Sequence, residues 1–349
     1  MKSPSLALAI SLTLCAGAVA QSPVSFEGKT TITMTVGYPA GGGTDASARL
    51  IAPYLSRYLP GSPNIIVQNV PGADGITAMN HFAQQVKPDG LTISMGSSTV
   101  GDPLNYRKPQ AMFDPTKFIY IGGIGRGGST LIINKDAEKR LSDPTQPPVI
   151  VGAPSGVPRS GQQMAAWGIE ILGWNARWVL GYRGTNDLFI ALERGEIDMT
   201  ASSNLFQVAK LLEGGKFKIF SQTGTLTDGK ITPRSEFHDV PIFPNQMQGK
   251  IKPGLQQKGF DYWFGLVMLD KWLVLPTGTP DAIVQAYRNA FNKAIKDHEF
   301  LERGKRISED FEIQSAEDVK TLIDTLGSTP PEAFDYINDM LKRQGIGAS

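Results

Sequence analysis

Ile32-Thr33-Met34-Thr35-Val36-Gly37-Tyr38-Pro39-Ala40-Gly41-Gly42-Gly43-Thr44-Asp45 is the stretch that decides the fold. Its first five residues are apolar or β-branched and read as a buried strand. Pro39 to Gly43 stop that strand in a tight turn. Thr44 and Asp45 then open a helix, because Thr caps free amides and Asp favours the positive end of the helix dipole. Leu50, Ile51, Tyr54, Leu55 and Tyr58 recur at helical spacing, so this helix has one apolar face to lay on a sheet.

The same grammar continues outward. Ile65-Ile66-Val67 is the next strand and ends at Asn69-Val70-Pro71-Gly72-Ala73. A helix from about Gly75 to Gln85 and a strand from Leu91 to Met95 follow. Strand, helix, strand, helix, strand with short glycine turns predicts parallel pairing and right-handed crossovers. A second unit begins after Gly122–Gly128. It alternates strands at Val149–Val151, Arg177–Leu180, Ile197–Thr200 and Phe217–Phe220 with helices at Ser160–Leu172, Thr185–Arg194 and Leu205–Glu213. Leu226 to Gly259 is polar and rich in Gly and Pro, and reads as a loop of 34 residues, longer than an ordinary connection.

Three helices close the chain. One is capped at Thr279-Pro280-Asp281 and carries Ile283, Ala286, Tyr287, Ala290, Phe291 and Ala294 on one face. Another opens at Ser315, and the third spans Pro331 to Arg343. These helices need a sheet to cover, and the first unit is the expected host. The fold class is therefore α/β with two lobes, each a mainly parallel sheet flanked by helices. Lobe 1 is expected at 28–125 and 265–349, and lobe 2 at 126–264. The crossings are expected near Gly125–Gly128 and Phe264–Val267.

Met1-Lys2 followed by an apolar stretch from Leu6 to Ala20, with Ala18-Val19-Ala20 before Gln21, reads as a secretion signal cleaved after residue 20. The stretch is short for a membrane span. Cys15 is the single cysteine of the chain and lies inside this segment, so the remaining residues can form neither a disulfide nor a thiolate metal site. Removing Lys2 leaves 33 basic against 33 acidic residues (34 − 1 = 33). A balanced chain without a basic block argues against a nucleic-acid partner.

Catalytic constellations are not legible. Gly123-Ile124-Gly125-Arg126-Gly127-Gly128 matches a dinucleotide-binding pattern, but the next residues, Ser129 to Ile133, read as a strand where a helix is required. A crossover between lobes is the better reading. There is no Gly-x-Ser-x-Gly elbow, and His81, His238 and His298 lack a second histidine at metal-binding helical spacing. Neither a metal nor another cofactor is expected. Asp45, Asp74 and Asp187 each sit in a first helical turn, where Asp is common for dipole reasons. An enzyme with one of them as base is the weaker reading.

The strand-to-helix turns carry the functional signal. Turns at the carboxyl edge of a parallel sheet are where open α/β folds bind ligands. Gly41, Gly42 and Gly43 permit close backbone approach, and a helix starting at Thr44 aims free amides at an anion. Pro71-Gly72-Ala73-Asp74-Gly75 repeats this one strand over. Ser155-Gly156-Val157-Pro158-Arg159-Ser160 and Tyr182-Arg183-Gly184-Thr185 are the second lobe's counterparts. Four amide-rich turns on one cleft suit a carboxylate.

Thr33 to Asp45 also resembles the opening motif of the Bug-type receptors of tripartite tricarboxylate transporters, as do Val67–Ala73 and Lys87-Pro88-Asp89-Gly90-Leu91-Thr92. Gly181–Thr185 with Gly195-Glu196-Ile197-Asp198 is similar to that family's second signature. Leu275–Pro280 resembles its return segment, and Gln344-Gly345-Ile346 its closing turn. The resemblance implies a hinged, two-lobed periplasmic binding protein fold of type II. It implies a small carboxylate ligand and membrane transporter subunits as partners; di- or tricarboxylates are candidates, and Tyr38, Trp167 and Trp174 add an aromatic acid to them. Carried over by position, the pocket includes Tyr38, Ala40, Gly41, Asp45, Gly72 and Ala73, with Ser155, Gly156, Ser160, Thr185 and Asp187 from the second lobe. Arg159 is placed to pair with a second carboxylate. With Gly42, Thr44 and Tyr182 from the turns themselves, these complete the candidate ligand-binding set. Asp74 stands where the family has glycine, and a longer stretch from Val240 to Lys258 replaces a family segment. A receptor acting as a monomer is expected, and a sensor feeding a membrane signalling protein is the alternative.

Overall fold

In the computed structural model, which describes Phe26 and residues 30–154, 158, 160–227, 229–307 and 311–346, the opening stretch forms β1 (Thr31–Val36) and α1 (Gly43–Tyr58). Ile32, Met34 and Val36 are fully buried on one face of β1, and α1 buries Leu50, Ile51, Tyr54 and Leu55. β2 (Asn64–Asn69), α2 (Ile76–Gln85) and β3 (Thr92–Ser97) follow. β1 pairs in parallel with both β2 and β3. Two short helices come next, α3 (Ser98–Gly101) and α4 (Pro103–Tyr106).

β4 (Ile119–Arg126) belongs to the same sheet, whereas β5 (Thr130–Asn134), three residues later, lies in another. The glycine-rich stretch is thus the crossover, and no helix follows it. Its glycines serve packing as well: a Cβ on Gly122 would sit 2.2 Å from the Phe291 ring, and one on Gly123 would sit 2.7 Å from Val319. The missing side chains let helices press on both faces of β4.

The second unit contains β6 (Val149–Pro154), α5 (Gln163–Leu172), β7 (Ala176–Tyr182), α6 (Thr185–Arg194), β8 (Met199–Ser202), α7 (Leu205–Glu213) and β9 (Phe217–Gln222). Its strand order is β7-β6-β8-β5-β9. β6 runs parallel to β7 and β8, and β5 pairs antiparallel with β8 and β9.

The polar stretch after it corrects the long-loop expectation. It holds the hairpin β10 (Thr225–Thr227) and β11 (Lys230–Thr232), then α8 (Phe243–Met247) and the start of α9 (Leu255–Met268). Glycines and prolines cap these pieces, and the few large side chains between them make a core. Phe243, Phe260 and Trp263 are buried; Phe260 and Trp263 pack ring to ring with Trp167 of α5, and Phe243 packs on both of them. The return crossing expected at Phe264–Val267 is likewise not a loop, because those residues lie inside α9.

β12 (Lys271–Leu275) re-enters the first sheet, followed by α10 (Asp281–Ala294), α11 (His298–Ile307), β13 (Phe311–Gln314), α12 (Ala316–Gly327) and α13 (Pro331–Arg343). The sheet reads β13-β4-β12-β3-β1-β2, with β12, β4 and β13 joined by antiparallel pairing. β12 alternates as a strand buried on both faces should. Leu273 and Leu275 join the core under α1 and α10, while Trp272 and Val274 join the one shared with α9, α12 and the second sheet. Of the three closing helices expected over the first sheet, α10 and α12 pack there. α13 packs on α9 and α5 instead. Arg343 pairs with Glu170 at 2.6 Å, and Gln344 donates to the Ala166 carbonyl at 2.9 Å.

Candidate functional site

β1, β2 and β3 run parallel, so their carboxyl ends emerge on one edge of the first sheet. Gly37 brings the first two turns together: a Cβ there would lie 2.8 Å from the Gly75 Cα. The Tyr38 hydroxyl donates to the Asp74 carbonyl at 3.0 Å and lies 2.6 Å from Ser97 Oγ, joining all three strand ends. Burial raises the phenol pKa, so this hydroxyl keeps its proton. Around it, Gly72, Ala73, Asp74 and Gly75 all have positive φ, at 156°, 46°, 56° and 94°. Two consecutive non-glycine residues in the left-handed region store strain of the kind that marks ligand loops.

Asp45 organises the first turn from beneath. Its buried carboxylate accepts from Arg49 Nε at 3.0 Å, from the Gly41 amide at 2.8 Å and from Asn69 Nδ2 at 2.9 Å. Asn69 Nδ2 also donates to the Tyr38 carbonyl at 2.9 Å. The Arg49 hydrogen bond is foremost in holding the Asp45 carboxyl down at about 2, helped by Gly41 and Asn69 against the effect of burial. Asp45 therefore points into the turn and fixes its shape. What the turn presents outward is backbone: Ala40 to Gly43 are exposed, and α1 begins at Gly42 without a side-chain cap. Thr44 is buried behind them.

In the second lobe, Ser155, Gly156 and Arg159 lie outside the described residues. Ser160 is described and has φ +49°, and its carbonyl accepts from the Trp263 indole at 2.9 Å. At the end of β7, Tyr182 is half-buried, and Thr185 opens α6 after an uncapped Gly184. Asp187 is bound by Arg183 Nε at 2.8 Å, which lowers its pKa. Among the described residues, no hydrogen bond of Tyr182, Thr185 or Asp187 crosses to the first lobe. The lobes meet elsewhere. Ser160 and Gln163 line a cavity of about 490 Å³ together with Ser98 and Thr99 from the end of β3.

Sequence reading passed over three participants. Ser97–Thr99 and Ser202–Asn204 end β3 and β8, the same topological place as the turns that were read, but no glycine run marks them. The third is Arg234, whose guanidinium is buried at the crossover. Nη1 donates to the carbonyls of Gly128 at 2.9 Å and Ser203 at 3.1 Å, and the group lies over the Phe237 ring. It fastens the chain leaving β4 to the end of β8. Among the described residues, no group of three or more His, Cys, Asp and Glu side chains is placed to hold a metal ion.

Two α/β lobes, a crossover pinned between them and backbone-rich turns on the strand ends define a solute-binding receptor. Residues 48–326 match the tripartite tricarboxylate transporter family receptor, and the chain belongs to that family. It is similar to a Cupriavidus necator protein described as a UPF0065 protein in the gbd 5' region, 26% identical over 278 residues, which covers 76% of this chain and 74% of the relative. Among solved structures it resembles a TctC solute-binding protein from Polaromonas at 20% identity and a TM-score of 0.67, covering 90% of this chain and 98% of the other. The periplasmic binding protein BugD shares 20% identity and a TM-score of 0.50, covering 91% of this chain and 99% of BugD. An R. palustris protein, Rpa4515, solved with adipate, gives 21% identity and a TM-score of 0.50, covering 91% of this chain and 98% of the other.

Proposed function

We propose that this receptor captures a small carboxylate in the periplasm and delivers it to the membrane subunits of a tripartite transporter. The observation that carries the reading is the locked β1–α1 turn. Asp45 spends its charge inside the turn on the Gly41 amide, so the uncapped start of α1 at Gly43 and Thr44 is suited to an anion. Ala73 and Gly72 flank it from the strained neighbouring turn. Ser160, Thr185 and the turn containing Ser155, Gly156 and Arg159 would close on the ligand from the second lobe. The lobes are assigned to 28–125 with 265–349 and to 126–264. A carboxylate relative of the same fold, Rpa4515, was solved with adipate, which supports a dicarboxylate among the ligands.

Catalysis by Asp45 or Asp187 fits poorly. Asp45 is ionised and saturated by three donors, and Asp187 is held by Arg183. Neither has the raised pKa that a general base near neutrality uses. No helix among the described residues is long and apolar enough to cross a membrane.

The test is thermal unfolding of the purified protein with adipate, succinate, citrate and benzoate, with glucose and glutamine as controls. A ligand at about 100 times its Kd stabilises by about 2.7 kcal/mol. Stabilisation by one carboxylate class with silent controls is expected. Stabilisation by glucose or glutamine alone would overturn the reading.

A further inference from the structure

The 490 Å³ cavity between the lobes has two unlike sides. One is polar and grows from the end of β3: Lys108 Nζ donates to Asn105 Oδ1 at 2.8 Å, and Asn105 Nδ2 donates to the Thr99 carbonyl at 2.9 Å. Ser98, Thr99 and Ser160 add hydroxyls. Lys108 is the one cation lining the cavity among the described residues. Asp102, the one carboxylate there, has Oδ1 occupied by the Leu104 amide at 2.9 Å and the Tyr262 hydroxyl at 3.0 Å. The other side is apolar, made by Trp263, Leu266 and Val267 of α9 with Phe334, Ile337 and Leu341 of α13. Both helices come from segments outside the first-lobe strand turns, so this wall is a separate construction.

The residues on either side of the lining pair Ser98 and Thr99 touch the first-lobe turns. Val100 Cγ1 would lie 2.9 Å from a Cβ on Gly75, and the Tyr38 hydroxyl lies beside Ser97. The cavity's size is that of a small-molecule site, and such sites pair a largely apolar lining with a few polar groups that fix orientation. A small dicarboxylate would leave the six apolar side chains facing water or charge. A wholly apolar molecule would strip water from Lys108 without replacing it.

The geometry points to a ligand class: a carboxylate with a bulky apolar body of about phenyl size, its head at Lys108 and the β3-end hydroxyls and its body on the α9–α13 wall. This rests on the reading of the protein as a carboxylate receptor and adds a seat beside the first-lobe turns, none of whose residues Gly41 to Thr44, Gly72 or Ala73 lines the cavity. Trp263 serves twice, as part of that wall and as the donor that holds the Ser160 carbonyl.

Isothermal titration of the purified protein with 3-phenylpropionate, its neutral amide and adipate tests the assignment. Leu104, Lys108 and Asn338 are exposed at the rim, so Leu104→Trp and Asn338→Trp narrow the cavity without disturbing a core, and Lys108→Met removes the charge but keeps the stem. The expected result is that 3-phenylpropionate binds and that its amide binds at least tenfold more weakly. Lys108→Met should weaken the acid about tenfold, the low end for a hydrogen bond to a charged group. Either Trp variant should weaken it more than tenfold. Adipate binding without 3-phenylpropionate binding would overturn the cavity assignment and leave the receptor reading intact. Binding of neither acid would also overturn the cavity assignment, and the receptor reading would then stand or fall on the thermal unfolding test above. Equal affinity of acid and amide, or of wild type and all three variants, would show that the cavity is not the seat.

Discussion

Replacing Asp45 with Asn keeps the shape of the side chain and removes the charge on which the β1–α1 turn is built. In the folded protein the carboxyl titrates at about 2, whereas in an unfolded chain it titrates near 4. That difference corresponds to about 2.5 kcal/mol at most. Arg49, its main partner, is half exposed, so solvent screening reduces the effect to about 1–2 kcal/mol. The sign follows from a folded pKa below the unfolded one. The contribution is complete above about pH 4 and is lost as pH falls through about 2, with roughly half remaining at pH 3. Urea unfolding followed by tryptophan fluorescence reads this at pH 7 and again at pH 3. For a chain of this length, a loss of about 1.5 kcal/mol also lowers Tm by about 2 °C. Affinity for the bound carboxylate should fall with stability, since the turn that presents Gly41 to Thr44 loosens. Equal unfolding midpoints for wild type and Asp45→Asn at pH 7, or a gap that does not narrow at pH 3, would refute this account of the turn.

Other consequences are as direct. Gly128→Ala places a Cβ 2.0 Å from the Gly224 carbonyl oxygen, a backbone atom that cannot rotate away. A loss of about 2 kcal/mol or more in calorimetry is expected. Arg234→Met leaves the carbonyls of Gly128 and Ser203 without this donor inside the crossover, and should cost about 3 kcal/mol in urea unfolding. Trp263→Phe keeps the ring contacts with Phe243 and Phe260 but deletes the bond to Ser160. It should cost about 2 kcal/mol and weaken carboxylate affinity measured by titration calorimetry.

Much of this protein is legible in its sequence because period and punctuation are local. Ile32, Met34 and Val36 alternate and are buried. Tyr287, Ala290, Phe291 and Ala294 recur at helical spacing and form the buried face of α10, completed by Val284 while Ile283 and Ala286 stay partly exposed. The glycines of the first turns mark strand ends without reference to anything distant. The same local reading went astray at Leu226–Gly259, where turn residues are dense. They separate short elements whose buried members, Phe243, Met247 and Phe260, pack against residues far away in the chain. It also placed α13 over the first sheet, whereas α13 packs on α9 and α5, since an amphipathic helix shows which face is buried but not against what.

The candidate site divides along the same line. Where the chain turns from strand to helix, and so where backbone amides collect, follows from short-range sterics and hydrogen bonding. Sequence therefore determined the α/β class, the two units and the Gly41–Asp45 and Gly72–Gly75 turns. Which way a side chain points within a turn depends on partners brought from elsewhere. Asp45 faces Asn69 and Arg49, Ser160 is held by Trp263 from 103 residues away, and Arg234 reaches back 106 residues to Gly128. The contacts of Ser160 and Arg234 exist only once two sheets and α9 have packed. The tertiary structure alone decided them, because no local pattern encodes the partner of a buried polar group.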